Sequence, residues 1–331
     1  MQARCEIREY PSSDVSRSAF RGRTSRVGYY LGIDGGGTKT TCVVGDENRV
    51  LATATAGPSN IIRVGGAIAR ESLQQAVGKA CAEVSVDPRK ITRTCIGVAG
   101  AGRRKVSVTV MEILSEIVGG AIEVVPDSTI ALHAAFGNGP GIIVIAGTGS
   151  IAYGRNADGK TARAGGWGFA VSDEGSGHWI GRTAIAAALR ARDEQRETTL
   201  LTEISEAWGF SHADELIPAA NASPEPDFSI LFPAVLKCAE AGDAVAMSVL
   251  THAGEELAQL ATIVAHRLFA GNASIHFATA GSIFRQSALV RQVFADRLRA
   301  KFAGLNLRED VVDPVQGALG LARIGKTAAS K

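Results

Sequence analysis

Two stretches of this chain follow one plan: an apolar strand, a turn of glycine and threonine, then two further strands. In the first half, residues 29–34 run into Asp34-Gly35-Gly36-Gly37-Thr38-Lys39-Thr40, and strand patterns follow over 40–46 and 50–56. In the second half, residues 141–146 run into Gly147-Thr148-Gly149-Ser150, with strands over 151–156 and 161–164. Glycine reaches backbone conformations closed to other residues, so such turns fold tightly and let a ligand approach. One glycine-rich hairpin alone carries little information. Its recurrence predicts a duplicated α/β domain with two phosphate-facing hairpins across a cleft.

The rest of the chain fits between and after these units. Helical spacing covers 66–84, compact apolar runs at 91–98 and 122–125 read as buried strands, and a helix is expected over 128–136. Gly137-Asn138-Gly139-Pro140-Gly141 breaks the pattern and is the candidate hinge. Further helices are expected over 177–194, 198–208, 228–241 and 244–269. A strand over 275–278 follows, then a helix, and a last helix over 314–324. This gives a first domain of 28–137, a second of 138–312, and a terminal helix within 313–327 that packs back on the first.

Several function classes fall away on composition. Net charge is +2 and aromatics are 5% of 331 residues, so neither a field for nucleic acid or anionic membrane nor a base-stacking platform is expected. No segment is long and apolar enough to span a membrane. The five cysteines form no CxxC pair and the six histidines are scattered, so the reading is buried thiols in a reducing cytoplasm and no protein-built metal cluster. Residues 1–27 hold six arginines and no apolar core of a secretory signal; they read as a disordered tail or as an extension upstream of the native start.

Chemistry concentrates in few places. The backbone N–H groups of Asp34–Thr40 can receive phosphate oxygens, Thr38 adds a hydroxyl, and Asp34 can hold Mg²⁺ through water. Gly147-Thr148-Gly149-Ser150 offers a second such cradle. Neither is a Walker A loop. Asp127, between a strand and a helix, suits a general base for phosphoryl transfer and equally a helix N-cap. Gly165-Gly166-Trp167-Gly168 and Asp173-Glu174-Gly175-Ser176-Gly177 combine carboxylates, an aromatic ring and free amides suited to a sugar; alternatively Ser176 or Asp173 caps a helix and Trp167 fills core. Gly281-Ser282 can let a nucleoside approach, or merely turn strand into helix.

Taken in order, Gly32-Ile33-Asp34-Gly35-Gly36-Gly37-Thr38-Lys39-Thr40, Gly57-Pro58-Ser59-Asn60, Asp127-Ser128, Ala146-Gly147-Thr148-Gly149-Ser150, the GGWG and DEGS blocks and Ala280-Gly281-Ser282 resemble the BadF/BadG/BcrA/BcrD-type ATPase family, and within it the N-acetylglucosamine kinases. The resemblance runs from about residue 28 to the C-terminus. It implies two ribonuclease-H-like domains of the actin/hexokinase superfamily with a nucleotide cleft between them, commonly as a homodimer. It implies an ATP- and Mg²⁺-dependent kinase of an amino sugar. Thr38 and Thr148, with Asp34, Gly36, Gly37, Lys39, Gly147 and Gly149, are then the phosphate side, and Gly281 and Ser282 the nucleoside side. Asn60, Gly166, Trp167, Gly168 and Asp173 would hold the sugar, and Asp127 would activate its hydroxyl, O6. The animal N-acetylglucosamine kinases carry an aromatic residue near this asparagine. Here Ile61-Ile62 follow Asn60, which leaves N-acetylglucosamine, glucosamine and N-acetylmuramic acid as candidate sugars.

Two other classes share the fold. Activators of radical dehydratases carry a cysteine-ligated iron–sulfur cluster, yet the one cysteine near a phosphate turn here, Cys42, lies within a strand pattern. Sugar-sensing repressors carry a helix-turn-helix arm, and residues 1–27 are too short and irregular for one. Because the Arg- and Ser-rich composition of 1–27 cannot bury a core, deleting these residues is expected to leave melting temperature and turnover nearly unchanged; a large drop in either would show that they pack on the fold.

Overall fold

The computed structural model describes residues 28–269 and 274–325; the expectations for 1–27, Cys5 and the end of the 313–327 segment lie outside them. Among the described residues ten strands form two sheets. The first joins β1 (Tyr29–Gly35), β2 (Thr40–Gly45), β3 (Val50–Ala56), β4 (Ile91–Val98) and β5 (Ala121–Pro126) in the order β3-β2-β1-β4-β5. The second joins β6 (Gly141–Ala146), β7 (Ser150–Arg155), β8 (Thr161–Gly165), β9 (Ile275–Ala280) and β10 (Leu305–Val312) in the order β10-β9-β6-β7-β8. These are one topology used twice: an antiparallel three-strand meander whose first strand also pairs in parallel with the fourth, and the fourth with the fifth.

Helices α1 (Ile61–Glu83), α2 (Arg104–Ser115) and α3 (Asp127–Phe136) follow strands of the first sheet. The second half adds α4 (Gly177–Asp193), α5 (Leu200–Ala207), α6 (Leu216–Ala220), α7 (Phe232–Glu240) and α8 (Ala244–Leu268), then α9 (Ser282–Gln286), α10 (Ala288–Lys301) and α11 (Pro314–Ile324). Three differences from the sequence expectation have physical reasons. Helix α1 starts five residues before the expected 66, because Asn60 caps it through a bond from Ile62 N and the chain kinks at Gly65 instead of starting there. The expected helix 228–241 opens as a 3₁₀ turn, Phe228–Leu231, with Pro233 in the first turn of α7. Strand β10 was not expected at all. Its Leu305-Asn306-Leu307-Arg308-Glu309-Asp310 core is polar and largely exposed, as suits an edge strand.

Each sheet has its own apolar core. Leu31, Ile33, Leu73, Ile96 and Leu114 fill the first; Ile142, Leu257, Phe277, Phe284 and Phe294 fill the second. Helix α3 belongs to both halves. Its Ala131 and Leu132 pack with Ile143, Ala278 and Val312, whereas its Ile130 packs with Cys95, Ala318 and Ala322. Helix α11 lies against β1, β4 and α3. Two glycines permit the closeness. A β-carbon on Gly97 would overlap the Ile130 side chain, and one on Gly317 would overlap the Ile130 carbonyl and stand 2.7 Å from the Ala134 nitrogen. Cys42, Cys81, Cys95 and Cys238 are buried free thiols. No helix among the described residues is long and apolar enough to cross a membrane.

Gly317→Ala is therefore expected to destabilise the protein by about 1–3 kcal/mol, as overpacking against backbone does. Chemical denaturation measures this; an unchanged midpoint and slope would show that α3 and α11 separate without cost.

Candidate active site

The parallel strands of each sheet end in register, and Asp34, Asp127, the Gly147 turn and Gly281 sit at those carboxyl ends, where open α/β sheets bind ligands. In the first sheet Asp34 pairs with Gly97, and Val98 pairs with Pro126, so Asp34 and Asp127 leave the same edge. In the second, Ile145 and Val312 both pair with Ala280, so the Gly147 turn, Gly281 and Asp313 leave one edge. The two edges meet: Thr38 Oγ1 lies 2.9 Å from Thr148 Oγ1, directly joining the two glycine–threonine turns.

Each turn is held from behind. Gly36 N donates to Lys39 O at 3.1 Å, while Ser59 N and Asn60 N both donate to Gly36 O at 3.2 Å. Thr40 Oγ1 donates to Ser59 Oγ at 2.7 Å and ties the same two segments. In the second turn Gly147 N donates to Gly149 O at 2.9 Å. Gly177 N reaches Gly147 O at 2.8 Å, setting the start of α4 against the turn. Ser176 caps that helix by accepting from Trp179 N at 3.2 Å, so the capping alternative read for Ser176 holds. Gly281, at φ 102°, lies so close to Ala146 that a β-carbon would overlap its carbonyl; Ser282 follows, exposed, at the start of α9.

Asp127 is the first residue of α3, not its cap; Pro126 holds the cap position. Its Oδ1 accepts from Ser128 N at 2.8 Å. Burial raises its pKa above the usual carboxylate range, against the pull of that N–H. Burial, with the Asp127 and Asp313 carboxylates nearby, pushes Asp34 up to about 7, against the opposing charges of Lys39 and Arg285. Asp173 is pushed up to about 6, again chiefly by burial, with backbone N–H groups of Ser150 and Gly168 pulling down and Glu174 and Asp127 adding to the rise. Several carboxylates thus share one poorly solvated cleft, the electrostatics a cation or a proton relieves. Among the described residues no group of three or more His, Cys, Asp or Glu side chains could hold a metal by itself. Asp34 alone still fits Mg²⁺, which commonly takes one carboxylate plus phosphate oxygens and waters.

The segment from β8 to α4 turns repeatedly through left-handed backbone conformations. Gly165, Gly166, Gly168 and Gly175 all have positive φ, and so does Asp173 at φ 67°. A non-glycine residue is seldom held there unless its surroundings fix it. Here the Asp173 carboxylate is set against Gly149, where a β-carbon would stand 2.9 Å from Oδ2. Trp167 does not fill core: it is 66% exposed, with Arg163 Cζ 3.9 Å from its ring centre. Asn60 Oδ1 is engaged as the α1 cap.

Sequence reasoning missed Arg63, Asp227 and Asp313. Asp313 links β10 to α11 at the place where Asp127, directly after β5, opens α3, so the duplicated topology held its signal. Arg63 and Asp227 form an ion pair between the halves and lie far apart in sequence.

Residues 31–325 match the BadF/BadG/BcrA/BcrD ATPase family. The chain belongs to that family. An N-acetylmuramic acid/N-acetylglucosamine kinase of Clostridium acetobutylicum is 33% identical over 301 residues, spanning 89% of this chain and 98% of the relative. An N-acetyl-D-glucosamine kinase of Dictyostelium discoideum is 28% identical over 309 residues, spanning 88% and 97%. The crystal structure of a provisionally named N-acetylglucosamine kinase from Chromobacterium violaceum superimposes with a TM-score of 0.69 at 27% identity, spanning 89% of this chain and 99% of that one. The two sheets are accordingly the ribonuclease-H-like domains of the actin/hexokinase fold.

A carboxyl whose pKa folding raises is more stable protonated in the fold, so its contribution is full below pH 4 and is lost as pH rises through the folded value, here about 7 for Asp34. Asp34→Asn removes that loss. In ligand-free protein with chelator, the melting temperature of the variant relative to wild type is expected to climb between pH 5 and pH 8. A difference that stays flat across this range would show Asp34 to be normally solvated.

Proposed function

We propose that this family member is a sugar kinase that transfers the γ-phosphoryl group of ATP to an amino sugar, at O6. The observation that carries the reading is the position of Asp127: a desolvated carboxylate of raised pKa at the edge from which Asp34 also projects, beside two glycine–threonine turns in contact. The names of the 33% and 28% identical relatives support the amino-sugar class.

In this reading the N–H groups of Gly37, Lys39 and Gly149, with the Thr38 and Thr148 hydroxyls, receive the phosphates, while Gly36 and Gly147, whose N–H groups close their own turns, shape the two cradles. Gly281 and Ser282 border the nucleoside. Asn60, Gly166, Trp167, Gly168 and Asp173 hold the sugar. The Asp127 carboxylate accepts the proton of the attacking hydroxyl, the new O–P bond forms in line, and the bond to the β-phosphate oxygen breaks to release ADP. A base with raised pKa takes that proton more readily near neutral pH. Asp34 would hold Mg²⁺ through water, which would there neutralise phosphate charge. Residues 28–137 and 138–312 are taken as the two moving halves, with 137–141 as hinge and α11 joined to the first. Because Thr38 and Thr148 touch, the halves have to part for phosphate to enter between them. Closure then excludes water as a competing acceptor. A cytoplasmic site of action and a homodimer are carried over from the family resemblance.

Asp127→Asn tests the base. Asparagine keeps the shape and the oxygen that accepts from Ser128 N but cannot take a proton. The variant is expected to fold normally and to lose about 10²–10⁴-fold in kcat in a coupled ADP-release assay across amino sugars. Near-wild-type turnover would remove Asp127 from the chemistry and direct attention to Asp173.

A further inference from the structure

We propose that Arg63 is a phosphate-binding side chain of this enzyme and that Asp227, from the opposite half, occupies its guanidinium until the terminal phosphate of ATP displaces it. The inference rests on the kinase reading above and adds a residue that the motifs do not contain.

Arg63 stands in the first turn of α1, three residues after Asn60. Its Cδ lies 3.6 Å from the point a β-carbon on Gly37 would occupy, and Thr148 Oγ1 lies 3.5 Å from that same point. The arginine stem therefore flanks the junction where the two phosphate turns meet, beside the Thr38–Thr148 contact. Its guanidinium pairs with Asp227 Oδ2. A planar guanidinium on a stem that flanks two hydroxyls adds forked donors of the kind that phosphate oxygens take.

The two oxygens of Asp227 do different work. Oδ1 accepts from Ser229 N at 3.0 Å and from Ser229 Oγ at 2.5 Å, capping the 3₁₀ turn Phe228–Leu231. Local structure therefore does not need Oδ2, which faces Arg63. The side chains of the pair are 25% and 40% exposed, and ion pairs this open to solvent contribute little, so a phosphate with more charge can replace the carboxylate.

A bond that merely latches the two halves makes a different prediction from an internal competitor. If Arg63 and Asp227 only latch, removing either has the same effect. If Asp227 competes with phosphate, the two removals act in opposite directions. Calorimetric titration of the full chain with a non-hydrolysable ATP analogue and with ADP, both with Mg²⁺, separates these. Arg63→Gln is expected to cut the preference for the analogue over ADP by about tenfold or more, and Arg63→Lys to retain part of it. Asp227→Asn, which keeps the Ser229 cap, is expected to raise that preference. Equal weakening by Arg63→Gln and Asp227→Asn would overturn the proposal in favour of a latch. A shift confined to selectivity between carboxylate-bearing and neutral amino sugars, with the nucleotide preference unmoved, would overturn it in favour of a sugar-reading arginine. Wild-type protein that binds neither nucleotide would remove the kinase reading itself, a separate result from a variant that leaves wild-type-like discrimination.

Discussion

Helix α3 is wedged between the two sheets, and most of the architecture follows from that. One face of a ten-residue helix packs on the second sheet through Ala131 and Leu132, while Ile130 packs on the first sheet and on α11. The helix can sit so close because Gly97 leaves room for Ile130 and Gly317 lets α11 approach its backbone. Close-packed contacts of this kind are stiff, since neither side can shift without opening a void or a clash. The stiffness fixes the start of α3, and with it Asp127, relative to both strand edges.

Electrostatics at those edges are set by crowding. Asp34, Asp127 and Asp173 are all raised mainly by burial, and Asp34 and Asp173 are raised further by neighbouring carboxylates. Such an arrangement weakens the ligand-free fold at neutral pH, and within the protein the Lys39 and Arg285 charges oppose it at Asp34. Backbone conformation at the cleft is unusual as well. Positive φ at Asp173 and at four glycines between Gly165 and Gly175 holds a carboxylate against Gly149 in a conformation most sequences avoid.

Much of this was legible in the chain itself. The repeated strand–turn–strand–strand unit gave the duplicated α/β plan, because alternating apolar patterns and glycine turns are local properties. The two turns, Asp127 and the DEGS block were legible for the same reason. Strand β10 was not, because an edge strand that buries little has no apolar signature. Asp313 was missed although the duplication maps it onto the Asp127 position, since recognising that needed β10 first. Trp167 as core was a wrong alternative: an aromatic ring carries no local mark of which side faces water, and here it stands exposed under Arg163.

The sequence by itself determined every strand but β10, the tight glycine turns and the order of the motifs, and these sufficed for the family and its fold. Only the tertiary structure decided what meets what. That Thr38 reaches Thr148 across 110 positions, that Asp34 and Asp127 leave one edge in register, and that Arg63 pairs with Asp227 all depend on how two sheets are set about α3. Propensity and periodicity act over a few residues, whereas the field at a buried carboxylate sums over groups that only folding brings together.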